Sequence, residues 1–158
     1  MLSPEALILI IPVRLGEVRT NPYNMAKTVV LIDDDQDDLD ILKETLSSID
    51  PSLLCISFIY PVEAIRVITK ELIVTPDYIF TDINMPGLTG DQCVREIRKY
   101  QEFNDTIITV LSTTMRPEVS DALKKLGANF TFKKPNSIFE YKQLLLPVFQ
   151  ERQILSDN

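Results

Sequence analysis

Histidine is missing from this sequence of 158 residues, and cysteine is scarce. Without histidine the chain cannot use an imidazole as a general base, build a His-Asp-Ser triad, bind zinc through imidazole or act as a histidine phosphocarrier. Its two cysteines, Cys55 and Cys93, form neither a CxxC pair nor a disulfide framework, which suits a reducing compartment. We interpret both thiols as small buried hydrophobes. Any chemistry must therefore rest on Asp, Glu, Lys, Ser or Thr.

An excess of positive charge and long apolar runs are lacking as well. The chain carries 16 basic and 23 acidic residues, a net charge of −7, so it lacks the basic face that binding to nucleic acid needs. The longest apolar run extends from Ala6 to Ile11 and stops at Pro12, whereas a membrane-spanning helix needs about 20 residues. Glu5 is the only charge before this run, which argues against a signal peptide. We predict a cytoplasmic protein that contacts neither membrane nor nucleic acid.

The sequence changes character at about residue 25. Residues 1–24 contain three prolines and no clear period, and we interpret them as an extension that is either a mis-assigned start or a docking arm. Residues 25–155 alternate short, β-branched apolar runs with amphipathic segments. The runs predict five strands, each followed by a helix, near residues 28–33, 54–59, 77–82, 106–111 and 129–132. This alternation favours an α/β fold with a parallel sheet.

Polar side chains end these predicted strands. Asp33 and Asp34 follow the first strand, Asp82 the third, Ser112 the fourth and Lys134 the fifth. The carboxyl ends of parallel strands lie at one edge, where crowded carboxylates need a compensating cation and an oxygen-only ligand set suits Mg²⁺. Asp82 is ionised at its ordinary pKa and needs no general base to act as a nucleophile, while Ser112 and Lys134 could hold phosphoryl oxygens. The constellation predicts a phosphoryl acceptor.

Four segments at these strand ends resemble the receiver domain of two-component response regulators. They are residues 31–35, 81–87, 110–113 and 133–135, and the resemblance extends over about residues 27–155. It implies a flavodoxin-like, doubly wound sheet of five parallel strands in the order 2-1-3-4-5 with five helices. It also implies that Asp82 accepts phosphate from a phosphohistidine, that Ser112 and Lys134 register the phosphoryl group, and that the Lys134–Pro135 peptide bond is cis.

The same resemblance implies a Mg²⁺ site and a pair of side chains that tune the lifetime of the phosphate. Asp34, the Asp82 carboxylate and the main-chain carbonyl of Asn84 would ligate the ion, and Asp33 would act partly through water. The side chains of Asn84 and Thr114 would control the access of water to the phosphoryl group.

One position departs from the family pattern. The family places a switch aromatic on the fifth strand, three residues before the lysine, and this chain has Thr131 there. Phe130 and Phe132 flank it but face the other side of a strand, so we expect core packing from them. A rotating aromatic side chain coupled to Ser112 is therefore in doubt.

Few residues remain after the fifth helix, so we expect a stand-alone receiver that catalyses its own phosphotransfer and dephosphorylation but is not otherwise an enzyme. The implied partners are a sensor histidine kinase or a histidine phosphotransfer protein, and a downstream protein target. The sequence leaves a phosphorylation-dependent dimer open.

Two alternatives to an active receiver stay open. One is a degenerate receiver that acts only as a protein-binding module, against which the complete site argues. The other is a Mg²⁺-dependent phosphohydrolase with an aspartate nucleophile, which would carry D-x-D-x-T where this chain has Asp82-Ile83-Asn84. A flavin carrier fits poorly, because the run of acidic residues after the first strand would repel a flavin phosphate.

Overall fold

The computed structural model describes residues 26–72 and 74–156, so the extension predicted at residues 1–24 lies outside the described residues. Strands and helices alternate along the chain. The strands are β1 (Thr28–Ile32), β2 (Leu54–Phe58), β3 (Tyr78–Asp82), β4 (Ile107–Ser112) and β5 (Phe130–Lys133). The helices are α1 (Gln36–Ile49), α2 (Pro61–Lys70), α3 (Gly90–Ile97), α4 (Pro117–Leu126) and α5 (Ile138–Ser156), with a 3₁₀ turn at Gln101–Phe103.

The strands form one parallel sheet in the order β2-β1-β3-β4-β5, which confirms the predicted topology. Val30 of β1 lies opposite Ile56 of β2 and Ile79 of β3. β3 pairs with β4, and β4 pairs with the edge strand β5. β1, β3 and β4 are buried along their whole length because helices cover both faces of the sheet, and this burial explains their continuous apolar sequences.

The sheet separates two hydrophobic cores. One core lies between the sheet and α2, α3 and α4, and it includes Cys93. Burial raises the pKa of the Cys93 thiol to about 12, although a hydrogen bond with Thr81 acts in the opposite direction. The other lies between the sheet and α1 and α5, where Leu39 packs near Tyr141. Cys93 is thus the inert, buried thiol that the sequence predicts, and Cys55 is half-buried.

Local signals in the sequence place the helix ends. The Asp35 side chain accepts a hydrogen bond from the Asp37 N–H and caps α1, and Pro61 starts α2. Gly127 ends α4 with φ +108°, a left-handed conformation that favours glycine. α5 continues past Pro147 as far as Ser156. Across the described ranges, no helix has the length and apolar character needed to cross a membrane.

Candidate functional site

The carboxyl edge of the sheet brings the predicted site residues together. Asp33 directly follows β1, Asp82 ends β3, Ser112 ends β4 and Lys134 directly follows β5. All but Lys134 are buried as whole residues, and the side chain of Lys134 is only 9% exposed. Strand order explains the cluster, because β1, β3 and β4 are direct neighbours and β5 lies next to β4.

Three carboxylates meet at this edge. Oxygen atoms of Asp33, Asp34 and Asp82 all lie within 4.8 Å of one another, and Asp34 is exposed. Backbone N–H groups orient the two buried carboxylates: Asp35 donates to Asp33 Oδ1 at 3.0 Å, and Asn84 donates to Asp82 Oδ2 at 2.7 Å. A compact set of oxygen donors with one exposed member fits the ligand preference of Mg²⁺, so the donor chemistry agrees with the expected metal site.

The Lys134 ammonium supplies the balancing positive charge within the chain. It donates to Asp33 Oδ2 and to Asp38 Oδ2, both at 2.7 Å, and forms an ion pair with Asp82 Oδ1 at 3.0 Å. Burial alone would lower the pKa of Lys134, but the contacts with Asp33, Asp38 and Asp82 outweigh burial and hold its pKa above the ordinary value. Burial raises the pKa of Asp33, which the hydrogen bond from Lys134 only partly opposes. The two shifts thus have different causes, because the carboxylates raise the pKa of Lys134 and burial raises that of Asp33.

Asp38 is a site residue that the sequence analysis did not single out. It lies in the first turn of α1, whereas the other two carboxylates that contact Lys134 are at strand ends. One signal could have identified it, because Asp38 precedes the buried Leu39 and lies one helical turn before the buried Leu42. That spacing places Asp38 at the border of the buried face of the helix, unlike the exposed Asp37.

Ser112 is held by backbone contacts on both sides. Its carbonyl accepts a hydrogen bond from the Lys134 N–H at 2.7 Å, which joins the ends of β4 and β5. Its hydroxyl accepts a longer hydrogen bond, 3.4 Å, from the Thr114 N–H. Thr114 and Asn84 are both exposed at the rim of the site, and their predicted control of water stays a prediction.

The loop after β3 rests directly on the backbone at the end of β3. Gly90, the first residue of α3, donates its N–H to the Ile83 carbonyl at 2.9 Å. A Cβ at Gly90 would lie 2.9 Å from Ile83 Cα and would collide with the Asp82 carbonyl. The close approach requires glycine here and fixes the loop that follows Asp82.

The predicted cis bond between Lys134 and Pro135 is wrong. No cis peptide bond occurs among the described residues, so this bond is trans. The trans isomer of an X–Pro bond is favoured intrinsically by about 0.5–1 kcal/mol. The family resemblance was the only basis for the expectation, and no residue pattern in the chain required it.

Thr131 makes a specific contact at the position where the family has an aromatic residue. Its hydroxyl lies 2.6 Å from the Ser120 hydroxyl, which hydrogen-bonds β5 to α4. Phe130 and Phe132 stack on each other at 5.7 Å between ring centroids and pack against the core on the side of α1 and α5. Core packing by the two phenylalanines is therefore confirmed.

Comparison with known proteins agrees with this geometry. The model of the response regulator receiver domain family matches residues 29–145. Stress response regulator protein 1 of Debaryomyces hansenii is 30% identical over 129 residues, covering 78% of this chain and 50% of that protein. The protein of the same name from Clavispora lusitaniae is 28% identical over 122 residues, covering 72% of this chain and 59% of that protein. The chain thus spans little more than half the length of these relatives.

Solved structures share the fold. The chemotaxis response regulator CheY4 of Vibrio cholerae superposes with a TM-score of 0.67 at 26% identity, covering 81% of this chain and 99% of that chain. The phosphorylated cyanobacterial phytochrome response regulator RcpA superposes with a TM-score of 0.70 at 20% identity, covering 78% of this chain and 91% of that chain. At this level of identity the similarity concerns the fold alone. With the family model extending from β1 into α5, the chain belongs to the response regulator receiver domain family.

Proposed function

We propose that Asp82 accepts a phosphoryl group from the phosphohistidine of a sensor kinase or a histidine phosphotransfer protein, in a reaction that depends on Mg²⁺. The observation that carries the proposal is the Lys134 ammonium, 3.0 Å from the Asp82 carboxylate in a site otherwise rich in carboxylate oxygens. A carboxylate oxygen held beside a fixed ammonium can act as a nucleophile without a general base.

The phosphoryl transfer needs no general base. An Asp82 oxygen attacks phosphorus, the bond from phosphorus to the histidine nitrogen breaks, and that nitrogen keeps the electron pair and takes a proton from solvent. Lys134 and the Ser112 hydroxyl would hold phosphoryl oxygens as charge shifts toward them. Loss of the phosphoryl group to water reverses the modification, with Asn84 and Thr114 at the exposed rim controlling the approach of water.

The chain's own oxygens would hold the metal. Asp34 and Asp82 would bind it directly with the main-chain carbonyl of Asn84, and Asp33 partly through water. When bound, Mg²⁺ neutralises the carboxylates and the developing charge on the phosphoryl oxygens.

We further propose that the output passes to a downstream protein target and that the protein acts in the cytoplasm. The names of the two relatives, stress response regulators, support a role in signalling. The chain spans only part of their length, so a stand-alone receiver and a phosphorylation-dependent dimer both stay predictions.

The acceptor is tested by intact-mass spectrometry after incubation with Mg²⁺ and acetyl phosphate. The protein should gain one labile phosphoryl group, and the Asp82→Asn variant should gain none. Asp121→Asn, which makes the same change at an exposed position on α4, should be labelled like the unmodified protein. Undiminished labelling of Asp82→Asn would refute the assignment.

Labelling by acetyl phosphate, together with an assay of phosphate release from small phosphate esters, distinguishes the alternatives. A degenerate receiver acquires no phosphoryl group at all. A phosphohydrolase releases phosphate repeatedly from small phosphate esters, but Asn84 places an amide where such enzymes carry their second acid.

A further inference from the structure

The Lys134 ammonium is already shared among three carboxylates. Two of its donors are occupied by hydrogen bonds to Asp33 and Asp38, both at 2.7 Å, and Asp82 Oδ1 forms an ion pair with it at 3.0 Å. A phosphoryl oxygen on Asp82 therefore competes with the carboxylates of Asp33 and Asp38 for the Lys134 ammonium.

The three acceptors differ in how easily they return to water. The side chains of Asp33 and Asp82 are 11% and 7% exposed, whereas that of Asp38 is 33% exposed. A buried carboxylate that loses its partner pays a large desolvation penalty, but a partly exposed one recovers hydration. Asp38 is the acceptor that Lys134 can release most easily.

Charge favours the same displacement. A phosphoryl group replaces the single charge of the Asp82 carboxylate with about two negative charges. Asp38 and Asp82 contact the same ammonium, so this added charge lies close to Asp38 and repels it. Asp38 thus stabilises the unphosphorylated state in two ways. It occupies a hydrogen-bond donor of Lys134, and its carboxylate repels the added negative charge of a phosphoryl group on Asp82.

We propose that Asp38 is a positioning residue that competes with the phosphoryl group for Lys134 and so lowers the affinity of the site for a phosphoryl group. The inference rests on the proposed function and adds a residue on α1 that sets the phosphorylation equilibrium. It makes the phosphoryl group on Asp82 easier to lose or to pass on than it would be without this carboxylate.

Asp38→Asn tests the proposal, with Asp37→Asn as the matched control. Both residues lie in the first turn of α1 and both variants remove one negative charge, but Asp37 is exposed and only Asp38 contacts Lys134. The probe is beryllium fluoride, a phosphoryl mimic, titrated by calorimetry into each protein at saturating Mg²⁺. We expect Asp38→Asn to bind it roughly three- to tenfold more tightly than the unmodified protein, and Asp37→Asn to stay within about twofold.

Tighter binding is a readout that structural damage does not produce, because a distorted site binds more weakly. Asp38→Ala, which removes the competing oxygen altogether, should bind at least as tightly as Asp38→Asn. If the unmodified protein binds the mimic and both Asp38 variants bind it equally or more weakly, the proposed competition by Asp38 is refuted. The proposed acceptor role of Asp82 is not affected by that result. If the unmodified protein neither binds the mimic nor is labelled by acetyl phosphate, both proposals fail.

Discussion

Arg98 joins the ends of several elements at the edge of the sheet opposite the acceptor site. From the C-terminal end of α3, its Nε donates to the Gly127 carbonyl at 2.9 Å, and its Nη1 donates to the Phe103 carbonyl. Its Nη2 donates to the Thr106 carbonyl and to Asn129 Oδ1, both at 2.9 Å. One side chain therefore connects α3, the 3₁₀ turn, the end of α4 and the starts of β4 and β5.

The contribution of Arg98 to the free energy of unfolding can be worked out from these four hydrogen bonds. A hydrogen bond from a charged donor contributes about 1.5–3 kcal/mol net, so four independent bonds would contribute about 6–12 kcal/mol. They share one half-buried side chain, and water replaces part of each bond in the variant, so the values do not add. We expect Arg98→Ala to lower the free energy of unfolding by about 3–4 kcal/mol, which corresponds to a fall in Tm of roughly 9–16 °C. Arg98→Lys keeps the positive charge but loses the planar guanidinium group with its several donors, and it should lower the free energy of unfolding by about 2 kcal/mol.

Urea unfolding followed by circular dichroism measures this loss. Arg95→Ala on the same helix is the control, because Arg95 is exposed and forms a 4.0 Å ion pair with Asp91, its one ion pair among the described residues. This variant should change the free energy of unfolding by less than about 0.5 kcal/mol. A loss below about 1 kcal/mol for Arg98→Ala would refute the reasoning. Labelling of folded Arg98→Lys by acetyl phosphate should match that of the unmodified protein, because the contacts lie away from Asp82.

Two further results are expected. Gly90→Ala should lower the free energy of unfolding by about 2–4 kcal/mol and reduce labelling of Asp82, since the new Cβ collides with the backbone of Asp82 and Ile83; thermal unfolding and intact-mass spectrometry measure both effects. Burial raises the pKa of Tyr141 from 10.0 to about 12, so the folded state keeps a proton that the unfolded state loses between these values. The free energy of unfolding should therefore fall as pH rises through this window, and Tyr141→Phe should show a shallower fall when both proteins are unfolded in urea at pH 10 and at pH 11.5.

Short-range patterns were enough to predict the alternation of strands and helices and the polar residues at the strand ends, whereas the strand order was expected from the family resemblance. Apolar runs such as residues 28–33 require burial on both faces, and Gly127 and Asp35 mark helix ends through their local geometry. The contact between Lys134 and Asp38 could not be predicted in this way, because it joins residues 96 positions apart and depends on how α1 packs beside the sheet. The hydroxyl contact of Ser120 with Thr131 depends likewise on the packing of α4 against β5.

The Lys134 cluster also has a consequence for folding. Its hydrogen bonds to Asp33 and Asp38 close loops of 101 and 96 residues, and parallel pairing makes every contact between the strands non-local. Contacts between residues so far apart in sequence form late in folding, because the intervening chain must first lose conformational entropy. During synthesis, which proceeds from the N-terminus, Asp33, Asp34 and Asp38 emerge about a hundred residues before the Lys134 ammonium, and Asp82 emerges 52 residues before it. The nascent chain therefore carries these carboxylates without Lys134 until β5 joins the sheet, and the edge strand completes the sheet and brings an ammonium that offsets part of their charge.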